Sequence, residues 1–237
     1  MLRKSGKVLA SVMNKLQALI KPGILTSEID RLAEEFVLGE SAQPAFKGYK
    51  GFPATVCVSI NEEIVHGIPG NRKLKEGDIV SLDLGINYQG YFTDTAVTIG
   101  LGRISRSLKE LIEVTRKSLF EGIKQARLNN NLSDISFSIQ QYVEKHGFSV
   151  VRQFVGHGIG YKLHEEPEIP NFGRPHQGPR IKSGMVFAIE PMVNMGTWES
   201  DILDNGWTAV TKDRLASAHF EHTVAITERG QEILTAG

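Results

Sequence analysis

Apolar positions recur with a period near 3.6 across residues 5–20 and stop before Pro22-Gly23, which predicts an opening amphipathic helix. A second helix is predicted to start with Thr26 or Ser27 as its N-cap, with Glu28 and Asp30 suited to the positive end of the helix dipole. A third spans roughly 106–127. A fourth runs from Ser133, again an N-cap with an acidic residue after it, to a stop at Gly147. Elsewhere the pattern turns to alternation or to short apolar runs, predicting strands at 54–60, 78–86, 91–99, 185–193, 207–211 and 218–227.

The second half of this pattern echoes the first. Ser27, Ile29, Phe36 and Val37 align with Ser133, Ile135, Tyr142 and Val143, and His66-Gly67-Ile68 with His157-Gly158-Ile159. Residues 74–83 align with 181–190, setting Asp83 against Glu190. Residues 94–99 align with 221–226, setting Asp94 against Glu221. Four matches in one order imply a pseudo-twofold α/β fold of duplicated helix-helix-strand halves, roughly 5–100 and 105–230. Helices would lie outside a curved, mainly antiparallel sheet, all within one domain over 1–237.

Composition narrows the classes of function. Lys plus Arg and Asp plus Glu are 27 each, with no long run of one sign, which argues against binding nucleic acid directly or an anionic membrane. Cys57 is the only cysteine, so an intrachain disulfide and a thiolate zinc site are both excluded. The first 20 residues mix Lys, Asn and Gln into their apolar positions and read as a surface helix, not a signal peptide. No run approaches the ~20 apolar residues that span a bilayer. The expected location is cytoplasmic, and the expected state a monomer.

Residues 79–99 read as a hairpin turning near Tyr88-Gln89-Gly90. A turn centred on Tyr88-Gln89 sets Asp83 directly opposite Asp94; one centred on Gln89-Gly90 sets them diagonally, still on one face. Like charges that close are destabilising unless neutralised. A cation would neutralise them, whereas the plainer alternative leaves one Asp on a solvated face. Glu190 and Glu221 lie in apolar strands, where a lone carboxylate is costly to bury. His157, in the glycine-rich FVGHGIG, completes a set of four carboxylates and one imidazole. Such N/O donors suit a pair of hard or borderline ions, Co, Mn, Fe or Zn. His66 and His164 lie beside these segments and are candidates to hydrogen-bond a substrate carbonyl, against a structural role for either. His146, His176, His219 and His222 are weaker, with His219 and His222 expected in support of Glu221 or at the surface.

The segments NEEIVHGIPG, SLDLGINYQGYFTDTAVT, FVGHGIGYKLHEEP, GMVFAIEPMV and NGWTAVTKDRLASAHFEHTVAIT resemble the type I methionine aminopeptidases of the pita-bread superfamily, over essentially the whole chain. The resemblance implies two divalent ions held by Asp83, Asp94, His157, Glu190 and Glu221, with Asp83, Asp94 and Glu221 contacting or bridging both. It implies that His66 and His164 contact substrate and that Glu190 shuttles a proton. A methionine pocket would consist of Tyr49, Phe52, Cys57, Leu163 and Trp207, with Leu163 where an aromatic residue is expected. The implied activity removes amino-terminal Met from nascent chains, near the ribosome, when the second residue is small. Only 33 positions separate His157 from Glu190, too few for the helical insertion expected of type II. Rival readings are an aminopeptidase P or prolidase, expected to carry a large extra amino-terminal domain, a structural metalloprotein with a closed site, and a catalytically inactive pita-bread binding module, expected to have gaps in the ligand set.

Overall fold

A computed structural model describes residues 1–237. The first half runs α1 (Leu2–Leu19), α2 (Thr26–Gly39), β1 (Gln43–Pro44), β2 (Cys57–Ile60), β3 (Glu63–Val65), β4 (Ile79–Tyr88) and β5 (Tyr91–Gly100). The second begins again with two helices, α3 (Arg106–Gln125) and α4 (Leu132–Lys145), then β6 (Ser149–Val150), β7 (Gly156–Gly158) and β8 (Glu165–Ile169). It continues through β9 (Val186–Ile189), β10 (Met192–Asn194), β11 (Ser200–Ile202), β12 (Ala209–Thr211), β13 (Ser217–His219), β14 (Glu221–Thr227) and β15 (Gly230–Ile233). No helix is long and apolar enough to cross a membrane.

The main sheet has nine strands in the order β1-β4-β5-β14-β9-β7-β8, with β2 paired to β4 and β15 to β14. All its pairings are antiparallel. The strands at its centre, β5 and β14, come one from each half. Alternation along the strands sorts side chains between two faces. Leu82, Leu84 and Ile86 of β4 join Leu9, Leu16, Ile29 and Val37 of the first helix pair in one core. Phe187 and Ile189 of β9 join Leu111, Leu119, Ile135 and Val143 of the second pair in another. Between them on the opposite face, Cys57 and Ala188 join a smaller cluster with Phe46, Phe52 and Leu163. That face carries the site.

The predicted helices and the hairpin form, with informative departures. Thr26 is the first residue of α2 and does not cap it. Its hydroxyl instead donates to the Gly70 carbonyl and accepts the Gly70 N–H, a long-range claim that outcompetes the local cap. Asn131, not Ser133, caps α4, in a capping box with Asp134, while the Ser133 hydroxyl donates to the Gln177 carbonyl. The β4–β5 hairpin turns on Gln89-Gly90, both at positive φ, as a tight two-residue connection requires. Asp94 therefore faces Gly85, and Asp83 lies diagonal to it.

Two predicted strands are broken. The run 185–193 divides at Glu190-Pro191, and 218–227 divides at Phe220. Pro191 has no N–H to give a ladder. The breaks face one another, since β9 pairs with β14 and β10 with β13, so the ribbon kinks there into a separate three-stranded sheet, β13-β10-β6. One sequence echo also fails. His157 pairs with Ala188, whereas the matching rung of the first half, on Ser81, is occupied by Ser59. His66 stands past the end of β3, so it does not hold the place of His157.

Candidate metal centre

All twelve residues singled out from sequence line one cavity of about 210 Å³ on the concave face. Asp83 and Asp94 come from the hairpin, Glu221 begins β14, His157 sits mid-β7, and Glu190 occupies the kink after β9. Close approach of strands positions His157. A Cβ on Gly156 would lie 2.4 Å from the Ala188 carbonyl oxygen, and one on Gly158 2.3 Å from that of Glu166. Only glycine lets β7 fit this tightly between its neighbours.

Hydrogen bonding fixes which nitrogen of His157 faces the cavity. Nδ1 lies 2.8 Å from the Gly158 carbonyl oxygen and must donate to it, which leaves Nε2 as a bare lone pair. Asp94, His157 and Glu221 each offer a ligand atom within 4.8 Å of the others. Glu190 Oε1 lies 3.5 Å from His157 Nε2. Around them, Asp83 Oδ1 and Glu221 Oε1 are buried without a hydrogen-bond partner.

These carboxylates are under electrostatic load. Burial, then the charge of Asp94, pushes Asp83 well above the usual carboxylate range. Glu190 is raised likewise by burial and then by Asp83 and Asp94; Glu221 by burial, then by Asp94, Glu190 and Asp83. Asp94 itself is raised to about 7, burial again being the largest cause. Four crowded acids, two of them with orphaned oxygens, and one imidazole lone pair lack positive charge, and a divalent cation supplies it. The donor set therefore fits metal, of the hard or borderline kind.

The remaining predicted residues form the cavity's other walls. Phe52, Cys57 and Leu163 belong to the apolar cluster, with Tyr49 and Trp207 packed against it, so packing and pocket are one role here. Phe52 meets Trp207 edge-on at 5.2 Å. His164 stacks on Tyr49, its Nδ1 3.0 Å from the phenolic oxygen, and its ring centroid lies 4.2 Å from that of His157. Burial, then positive charge on His157, Lys50 and His66, brings the pKa of His164 down to about 3, so at neutral pH it is a neutral donor. His66 is held at φ +58°, a conformation disfavoured for a residue with a side chain, and its pKa is lowered by burial.

Sequence reading missed two lining residues, Phe46 and Lys50. Lys50 lies between Tyr49 and Phe52 in the chain, at φ +49°, and only its place among pocket residues could have drawn notice. The weaker histidines divide. His146 ends α4 and His176 is exposed, as their positions suggested. His222 turns away from the cavity, toward Phe120, with Nδ1 2.9 Å from Thr235 Oγ1. His219 is buried, its Nε2 3.6 Å from Glu190 Oε2, and its pKa is lowered to about 3 by burial and then by His66.

Known proteins with this arrangement are many. The sequence model of metallopeptidase family M24 matches residues 1–228. The methionine aminopeptidase of Clostridium perfringens is 55% identical over 235 residues, covering 99% of this chain and 94% of that one. Methionine aminopeptidase 1 of Bacillus subtilis is 53% identical over 234 residues, with the same coverage. Among solved structures, the methionine aminopeptidase of Rickettsia prowazekii superposes with a TM-score of 0.98 at 40% identity, over 99% of this chain and 95% of that one. The prolidase of Pyrococcus furiosus shares the pita-bread fold alone, at TM-score 0.82 and 22% identity, over all of this chain but 63% of its own. The chain is thus a metal-dependent hydrolase of metallopeptidase family M24, and within it belongs to the methionine aminopeptidases.

Proposed function

We propose that the protein cleaves a single methionine from the amino terminus of newly made chains, preferring those whose second residue is small. The observation that carries this reading is one cavity in which a crowded carboxylate cluster meets an apolar wall. In this reading Asp83, Asp94, His157, Glu190 and Glu221 hold two divalent ions, of which Co, Mn, Fe and Zn all suit the donors. Such ions supply a water acidic enough to ionise at neutral pH and charge to offset a developing oxyanion.

The chain's own residues do the rest. Tyr49, Phe52, Cys57, Leu163 and Trp207 seat an unbranched thioether side chain, and an unprotonated terminal amine held at one of the ions would set the cut one residue from the end. Neutral His164, and His66 beside it, donate to the scissile carbonyl oxygen as it gains negative charge. Glu190 accepts the proton of the attacking water and delivers it to the departing amine. A fold without structural disulfides suits the cytoplasm, where chains are made, and the enzyme acts there as a monomer.

The test compares Met-Ala-Ser with its acetylated form, with Ala-Ala-Ser, with Met-Lys-Ser and with an X-Pro peptide. Met-Ala-Ser should be turned over fastest. Equal cleavage of the acetylated peptide, or preference for X-Pro, would overturn the assignment.

A further inference from the structure

His219 is a buried polar side chain that this chemistry leaves unused. It closes β13 at 1% exposure, and neither ring nitrogen has a hydrogen-bond partner. An unpaired imidazole in the interior is costly, so a sequence that keeps one there has a use for it. Its backbone is fixed from β5. The His219 N–H donates to Thr98 Oγ1 at 2.8 Å, and that hydroxyl donates back to the His219 carbonyl, also at 2.8 Å. With its proton so committed, Thr98 Oγ1 can only accept from Ser81 Oγ, 2.7 Å away.

The ring is thereby held with Nε2 3.6 Å from Glu190 Oε2, while the other oxygen of Glu190 lies 3.5 Å from His157 Nε2. Glu190 stands between two imidazoles that differ in kind. His157 lines the cavity and presents a lone pair. His219 does not line the cavity, so it touches neither substrate nor the water that attacks it.

We propose that His219 is a positioning residue that holds Glu190 from behind, its imidazole donating from Nε2 to Glu190 Oε2 and leaving Oε1 for the cavity. The 3.6 Å separation is just beyond a hydrogen bond, and a small rotation of the carboxylate closes it. Because Glu190 lies in the kink, just before Pro191, no regular ladder fixes its direction, and the imidazole supplies what the strand does not. The inference rests on the reading of Glu190 as a working cavity carboxylate.

The experiment pairs His219→Leu, of similar bulk without a donor, with His219→Gln, which keeps one; His219→Met serves if the leucine variant does not fold. Manganese affinity is read by calorimetry, and kcat and KM on Met-Ala-Ser. The leucine or methionine variant should bind manganese roughly 10–100-fold more weakly, the scale for losing a residue that orients a ligand, and lose kcat with little change in KM. The glutamine variant should restore both. The effect of His219→Leu should also vanish in a Glu190→Gln background, because the residue acts only through that carboxylate. Wild-type behaviour of the leucine variant, equal damage from leucine and glutamine, or additivity with Glu190→Gln would overturn the proposal. If Glu190→Gln alone changes neither affinity nor turnover, it is the reading of Glu190 that fails, a separate result.

Discussion

Asp83 and Glu221 stand on the two sides of one residue, Ala96, which pairs with Asp83 across β4–β5 and with Glu221 across β5–β14. Residues on one rung share a face, so the two carboxylates look at each other over a methyl group. Asp94 lies two positions before Ala96 along β5, on the same face. Nothing larger than alanine leaves the pair free to converge. Ala96→Val should keep the strand, since valine suits sheets, but push the carboxylates apart. Metal affinity should fall by roughly tenfold or more. Unchanged affinity by calorimetry would show that the ion does not sit between them.

Ligands and substrate contacts should separate by mutation. Exhaustive chelation should abolish turnover, with Mn or Co restoring it. Asp94→Ala should lose metal and activity together. His164→Ala should keep its metal and lose about 10²–10³-fold in turnover, as for a missing oxyanion donor. Release of metal by His164→Ala would make it a ligand instead.

Stability should depend on pH in a metal-sensitive way. In metal-free protein Asp83, Glu190 and Glu221 are raised well above the usual range and Asp94 to about 7, each chiefly by burial. The folded state then keeps protons that the unfolded chain has released, so stability falls as pH rises through this range. Buried His66, His157, His164, His219 and His222, with lowered pKa values, act in the opposite sense, but their contribution is complete about one unit above the unfolded value, near pH 7.5. Above about pH 7.5 metal-free protein should lose about 1 kcal/mol per pH unit for each carboxyl still protonated. Metal-loaded protein should be flatter there. Paired thermal melts with parallel profiles would count against the cluster as an ion site.

The apolar slot should act on binding more than on chemistry. Trp207→Leu removes the edge contact with Phe52 and widens the wall. KM for Met-Ala-Ser should rise while kcat changes less, and discrimination against leucine at the first position should weaken, on the scale of about 1–3 kcal/mol per methylene. A loss confined to kcat would place Trp207 with the reacting atoms.

Much of this site was legible in the chain because period-two alternation ties Asp83 to Asp94 without any knowledge of the tertiary fold. The duplication likewise pointed to Glu190 and Glu221. What escaped prediction depended on partners distant in sequence. Thr26 is a good local cap, but Gly70, 44 residues away, claims its hydroxyl. The apolar run through Glu190 reads as one strand, although Pro191 bends it, because an isolated proline cannot say which strand lies opposite. His219 read as a support for Glu221 or as a surface residue, since nothing local reveals that its neighbour across the kink is Glu190.

The two large apolar cores are built one on each helix pair, and Val97 of the central strand β5 packs against both. Asp83 and Asp94 belong to the first half, His157, Glu190 and Glu221 to the second. A cation gripped by both sets would rivet the halves together, closing a long loop as a disulfide does in chains that can form one. With a single cysteine this chain has no such option. Its catalytic ion would then double as its only cross-link, and starving the protein of metal would loosen the molecule as well as silence it.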